Sequence, residues 1–167
     1  KKSLIEFIHE SLDEKINKED VILDVFSGTC SVGYSYKRTN TVYANDSEKY
    51  SSIIARALLC SNPLCIDVDC IKKDFNKRFS CLAEEQQALI NNEDALIKKV
   101  NAEELIDYYG NVPTFWNGGR SLENSRMIFT DFYSTTYFGV RQSVEIDLIR
   151  DLAECDTYKE CKDFLLT

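Results

Sequence analysis

The sequence predicts an α/β fold: a partial parallel sheet carrying a mostly helical, loop-rich insertion. Three observations predict it. Val21, Ile22, Leu23 and Val25 form a run too apolar for a surface strand, and it reads as a strand buried on both faces. The glycine turn Ser27-Gly28-Thr29-Cys30-Ser31-Val32-Gly33 follows it directly. A second strand over 41–45 then ends on Asp46, 22 residues after Asp24. Strand, glycine turn, helix, strand and acid make a nucleotide-binding βαβ unit. Gly28 lets the chain turn sharply, and Gly33 lets the following helix approach the sheet. Asp46, at the carboxyl end of the second strand, is placed to accept hydrogen bonds from a ribose diol.

The elements follow in order. Leu4, Ile5, Phe7, Ile8 and Leu12 recur at helical spacing, which predicts an amphipathic helix over 3–16 capped by Ser3. His9 lies on it as a surface or half-buried residue. The first strand covers 21–26, a short helix runs to about Arg38, and the second strand follows. Asp46 or Ser47 caps a helix that ends near Leu59, before Asn62-Pro63. Residues 67–109 are charged and carry Phe75, Phe79, Leu82, Leu89, Ile90, Leu96, Ile97, Val100, Leu105 and Ile106, a spacing that fits two or three helices. Residues 110–142 turn to glycines, aromatics and hydroxyls, with Pro113, Phe115, Trp116, Gly118, Gly119, Phe129, Phe132, Tyr133, Tyr137 and Phe138. Such a stretch either braces a nucleic-acid base or pins a loop to the core. Helix returns over 143–166.

Composition sets bounds. The 167 residues suffice for a real core, and no apolar run reaches the length of a membrane span. Among seven cysteines, Cys60, Cys65 and Cys70 are spaced by five and Cys155 and Cys161 by six; no pair has the two-residue gap of zinc ligands, so no metal site is expected. An odd count without a secretory leader fits reduced cytosolic thiols. Lys and Arg total 20 against 28 Asp and Glu, a net charge of −8. That balance is unusual for a DNA-binding chain. Local basic clusters stand out: Lys72, Lys73, Lys77 and Arg78, then Lys98-Lys99, then Arg120 with Arg126. Each reads either as a DNA-facing groove or as a solvated helix face.

The turn narrows the ligand. A dinucleotide loop usually spells Gly-x-Gly-x-x-Gly, but Cys30 occupies the middle position. Asp24 at the strand tip would repel a pyrophosphate and suits a ligand with a cationic amino group. The block Asp24-Val-Phe26-Ser27-Gly28-Thr29-Cys30-Ser-Val-Gly33 resembles motif I of class I methyltransferases, and its Phe and Ser-Gly-Thr resemble adenine-specific DNA methyltransferases. Lys1-Lys-Ser-Leu-Ile-Glu-Phe-Ile8 is similar to the tail of that family's motif X, with Lys1 at the lysine near the cofactor. Tyr43-Ala-Asn-Asp46-Ser-Glu48 resembles motif II, with Asp46 as the ribose acid. Tyr137-Phe-Gly139 and Glu145-Ile-Asp-Leu-Ile-Arg150 resemble a segment of restriction-modification adenine methylases.

The resemblance implies a Rossmann-like class I methyltransferase sheet, present in part, that binds S-adenosylmethionine through Lys1, Asp24, Phe26, Ser27, Gly28, Thr29, Cys30, Gly33 and Asp46. It implies methyl transfer to the exocyclic amino group of adenine in double-stranded DNA, within a restriction-modification system. In the family, [Asp/Asn]-Pro-Pro-[Tyr/Phe] aims that amino group at the methyl donor. No such tetrapeptide occurs here: Pro63 and Pro113 are the only prolines. The expected catalytic set within this chain is therefore empty, and alone it should bind cofactor without methylating. On this reading 1–62 is the cofactor region with its amino-terminal helix, 63–142 a variable region for target recognition, and 143–167 leads toward an absent catalytic part. The chain is then the amino-terminal portion of a larger enzyme, or one subunit whose companion chain carries the tetrapeptide. An RNA methyltransferase domain and a non-catalytic cofactor-binding subunit are the alternatives; a nicotinamide dehydrogenase is disfavoured by Asp24 and Cys30.

Overall fold

Two short strands, β1 (Val21–Asp24) and β2 (Thr41–Ala44), pair in parallel with Val21 opposite Thr41 and Asp24 opposite Ala44. They belong to a computed structural model that describes residues 2–61, 66–99, 102–111 and 127–167. The expectations placed on Lys1, Asn62-Pro63, Cys65, Val100, Pro113, Phe115, Trp116, Gly118, Gly119, Arg120 and Arg126 lie outside the described residues. Ser3 is not the cap expected of it: the first helix already runs from Lys2, so Ser3 lies inside it. The described chain forms two units: Lys1–Ile66 with Thr157–Thr167, and Asp67–Asp156.

In the first unit, α1 (Lys2–Leu12) precedes β1, α2 (Ser31–Tyr36) links the strands, and α3 (Lys49–Ala55) follows β2. The first helix is shorter than the expected 3–16, because turns over 13–15 and the Asn17–Asp20 hydrogen bonds take over. β1 stops at Asp24 rather than at 26; the ladder ends where Asn45 N donates to Asp24 O (2.8 Å). The expectation of a strand buried on both faces is corrected. Val21 is 59% exposed and Leu23 62%, while Ile22 and Asp24 are half-buried. Among the described residues the sheet has two strands and α2 packs on it, so burial alternates with the period of the pleat. Val42 lies on the half-buried face and touches the space above Gly33.

α3 continues into a π-helical turn over Arg56–Cys60, close to the expected end at Leu59. Neither Asp46 nor Ser47 is its N-cap residue; Glu48 is, and it caps with no side-chain bond. After a 3₁₀ turn over Asp156–Cys161, α9 (Lys162–Leu165) packs on α3 and the π-helical turn. Asp163 there accepts two bonds from the Arg56 guanidinium, Nε at 2.7 Å and Nη2 at 2.8 Å. Ala55, Ala57, Tyr158 and Cys161 are buried in this unit.

The second unit is helical: α4 (Val68–Ser80), α5 (Glu84–Lys99), α6 (Ala102–Asn111), α7 (Ile128–Phe132) and α8 (Val140–Ala153). Of the two or three helices expected over 67–109, three are present. Asp67 caps α4 by accepting from Cys70 N (2.9 Å). Ile90, Val140, Val144 and Leu148 form the core, with Phe75, Phe79, Leu82, Leu89, Tyr108 and Met127 packed against it. The aromatics of 127–138 are largely in mutual contact, Phe129 with Tyr133 and Phe138 at 5.7 Å each, and Tyr137 is 80% exposed. Among the described residues no helix is long and apolar enough to cross a membrane.

Candidate functional site

The glycine turn sits at the carboxyl ends of β1 and β2, and its geometry follows from three residues. Gly28 takes φ +50°, the left-handed region in which a side chain is strained, and nothing lies within 4 Å of the position a Cβ would occupy. Gly33 has ordinary dihedrals but no spare room: a Cβ there would meet Val42 Cγ1 at 3.1 Å and Cys30 Sγ at 3.2 Å. The roles read for both glycines hold. Cys30 stands at φ +54°, left-handed and not glycine, with its thiol fully buried beneath the turn. Burial, then the nearby Asp24 carboxylate, pushes that thiol's pKa up, so it stays protonated and packs as a small apolar group.

The two acids expected to matter both engage the turn. Asp24 Oδ2 accepts from Gly33 N at the start of α2 (3.3 Å). Asp46 reaches across: Oδ2 accepts from Gly28 N (2.8 Å) and Oδ1 from Glu48 N (3.0 Å). The Glu48 and Gly28 amides, in that order, hold its carboxyl below the usual carboxylate range. Each oxygen keeps a further lone pair for a ligand. Ser27 is buried and ties the strand ends together, its N donating to Asn45 O (3.0 Å) and its O accepting from Cys30 N (2.6 Å).

A hollow of about 370 Å³ opens over this turn. Asp24, Phe26, Ser27, Gly28 and Thr29 of the expected set line it; Cys30, Gly33 and Asp46 do not. Lys1 is outside the described residues. Sequence reasoning missed Leu4 and Ile5 from α1, Ser31 and Val32 from α2, and Tyr50 from the first turn of α3. The exposed rings of Phe26 (89%) and Tyr50 give the hollow apolar walls above a polar, acidic floor.

A second hollow, about 310 Å³, lies by the amino ends of the strands. Three of its side chains, His9, Asp13 and Tyr36, are joined to one another. Asp13 accepts from Tyr36 Oη (2.9 Å) and pairs with His9 Nδ1 (3.1 Å), and the His9 ring lies tilted against Tyr36 with centroids 4.4 Å apart. Burial, then the bond to Asp13, pushes Tyr36 up to about 12. His9 is thus half-buried, one of the two placements expected of it. Among the described residues no three His, Cys, Asp or Glu side chains gather as a metal site would.

A family model, that of the D12 class N6 adenine-specific DNA methyltransferases, matches residues 1–145. No curated protein sequence and no solved structure matches the chain.

Proposed function

The chain belongs to the D12 class N6 adenine-specific DNA methyltransferase family, and from that premise we propose that its first unit holds S-adenosylmethionine at the glycine turn. The observation that carries this reading is the pair of acids on one turn, Asp24 at the floor of the hollow and Asp46 bonded to Gly28 N. The residues fit the group. A hollow of about 370 Å³ is of small-molecule size, and a left-handed glycine with open space leaves the backbone approachable. Asp24 suits the cationic amino end of the cofactor and opposes a pyrophosphate. Asp46, prepositioned by two backbone amides, takes the ribose diol. Phe26, Tyr50, Leu4 and Ile5 supply the apolar walls for the adenine ring, and Lys1 is assigned near the cofactor by the resemblance alone. When bound, the cofactor supplies a methyl group activated on a sulfonium centre. The chain's own work is to orient it: the bonds from Gly28 and Glu48 to Asp46 fix the acid before any ligand arrives, so little ordering remains to be done on binding.

Double-stranded DNA is the proposed acceptor, and adenine modification within a restriction-modification system the proposed setting. Residues 1–62 serve the cofactor and 63–142 the target. Lacking an [Asp/Asn]-Pro-Pro-[Tyr/Phe] tetrapeptide, the chain alone binds cofactor and transfers no methyl group.

A parallel thermal melt with S-adenosylmethionine, S-adenosylhomocysteine and a nicotinamide dinucleotide tests this. At 100 times its dissociation constant a ligand adds about 2.7 kcal/mol, or roughly 5–10 °C for a chain of this size. The expected result is a shift with both adenosyl ligands that disappears in Asp24→Asn, which keeps an acceptor for Gly33 N and loses the charge. A shift with the dinucleotide alone would overturn the reading.

A further inference from the structure

We propose that the outward face of α4 is a contact surface for the phosphate backbone of double-stranded DNA, an inference that rests on the DNA acceptor proposed above. The second unit is an unpromising DNA binder by its totals: residues 67–156 carry 17 Asp and Glu against 10 Lys and Arg. What matters is how the positive charges are disposed. The described arginines of this unit all have acidic partners. Arg78 pairs with Asp151 and also reaches Cys155 Sγ (3.0 Å), Arg141 pairs with Asp94 and Glu145, and Arg150 pairs with Asp147. Those cations are internal staples. The four-residue basic cluster seen in the sequence therefore divides, with Arg78 turned to α8 and three lysines left.

Lys72, Lys73 and Lys77 are exposed and make no ion pair with any described residue. With Asn76 they fall on one side of the helix, opposite Ile71, Phe75, Arg78 and Phe79, which turn toward the core and α8. Lys73 and Lys77 stand one turn apart, about 6 Å along the axis. Of the acids of this helix, Asp69 falls on the same face, one turn before Lys72 and Lys73, and Asp74 on its flank. Exposed lysines without ion pairs, with an amide between them, are suited to phosphates, to which they contribute position and affinity rather than sequence readout. Lysines placed only for solubility need no shared face and no segregation from the arginines.

The test is duplex binding by the whole chain as a function of salt. Three phosphate contacts contribute about 2.7 to the slope of log K against log salt, so K72Q/K73Q/K77Q should flatten that slope by about 2.7. Its melting temperature and its shift with S-adenosylmethionine should match those of the wild type. The control is K98Q/K99Q, at the end of α5, with a smaller effect per charge. An unchanged slope in the triple variant overturns the inference, as does an equal effect per charge in the control, which would mean a general field and no special face. Failure of the wild type to bind duplex DNA, or equal binding of duplex RNA, overturns it too. The cofactor reading is judged separately, by the thermal shift, and survives any of these results.

Discussion

Single residues show how closely local chemistry and the glycine turn are joined. Gly28, Gly33 and Asp46 were legible in the sequence because each is demanded by a local geometry: a left-handed turn, a tight helix approach, an acid at a strand end. Tyr50, Leu4 and Ile5 were not. A tyrosine in the first turn of a helix has no pattern that separates a pocket wall from ordinary surface, and Leu4 and Ile5 read simply as the apolar stripe of an amphipathic helix. Cys30 was visible as a departure from glycine; its φ of +54° gives the physical reason a glycine suits that position. Tyr36 makes a prediction at this scale. Its phenol is 4% exposed and pushed up to about 12 by burial and by the bond to Asp13. The sign follows directly: the folded state keeps a proton that the unfolded state releases near pH 10, so stability is full below pH 10 and falls as pH rises toward 12. Tyr36→Phe should cost about 1 kcal/mol at pH 7 for the lost hydrogen bond. It should also shrink the loss between pH 9 and 12, read from urea melts at both. Tyr108 and Tyr109 shift in the same direction in the other unit, so part of the alkaline loss persists.

Whole elements were easier to find than to orient. The helical periodicity of 67–109 yielded three helices, and Phe75 and Phe79 pack as that pattern required. The apolar run of β1 gave a strand but misjudged its surroundings, because the same letters serve a strand covered on one face or on two. A second failure is more instructive. Glu93 sits in Glu-Glu-Gln-Gln-Ala-Leu-Ile-Asn-Asn-Glu-Asp, which reads as a solvated helix, yet it is 1% exposed. Its Oε1 accepts from Val140 N (2.7 Å) and Tyr109 Oη (2.6 Å), and its Oε2 from Arg141 N (2.8 Å). One carboxylate thus caps α8 from a position 47 residues earlier, meeting the orphan amides of the helix start with negative charge. Asp147 does the same for α7, accepting from Phe129 N (3.1 Å) and Thr130 N (2.7 Å). No window of local sequence contains both partners, so none could have revealed the pairing. Glu93→Ala should destabilise the second unit by about 3–4 kcal/mol, since buried donors lose their acceptor. Glu93→Gln, which keeps one carbonyl, should cost less than half of that. Denaturant midpoints of the two variants check the order; equal losses would point to packing rather than capping.

At the scale of the molecule, the first unit is discontinuous. Residues 1–66 are completed by 157–167, through α9 on α3 and the clamp between Arg56 and Asp163. Periodicity found the carboxyl-terminal helix over 143–166 but could not say that it breaks after Ala153 or that its last turns serve a different unit from its first. Removing 157–167 should therefore lower the first unit's melting temperature and abolish its shift with S-adenosylmethionine, although no deleted residue lines the hollow. Hydrogen exchange localises the effect: α3 and the π-helical turn should exchange faster in the truncated chain, and unchanged protection there would show that the terminal segment is an accessory.

That discontinuity also orders events in time during synthesis. Some 90 residues separate Ile66 from Thr157, and at 5–20 residues per second the ribosome takes roughly 5–20 s to make them. Throughout that interval the nascent chain presents the faces of Ala55 and Ala57, buried in the finished unit, without the segment that completes it. The helical unit, contiguous in sequence, has no such wait.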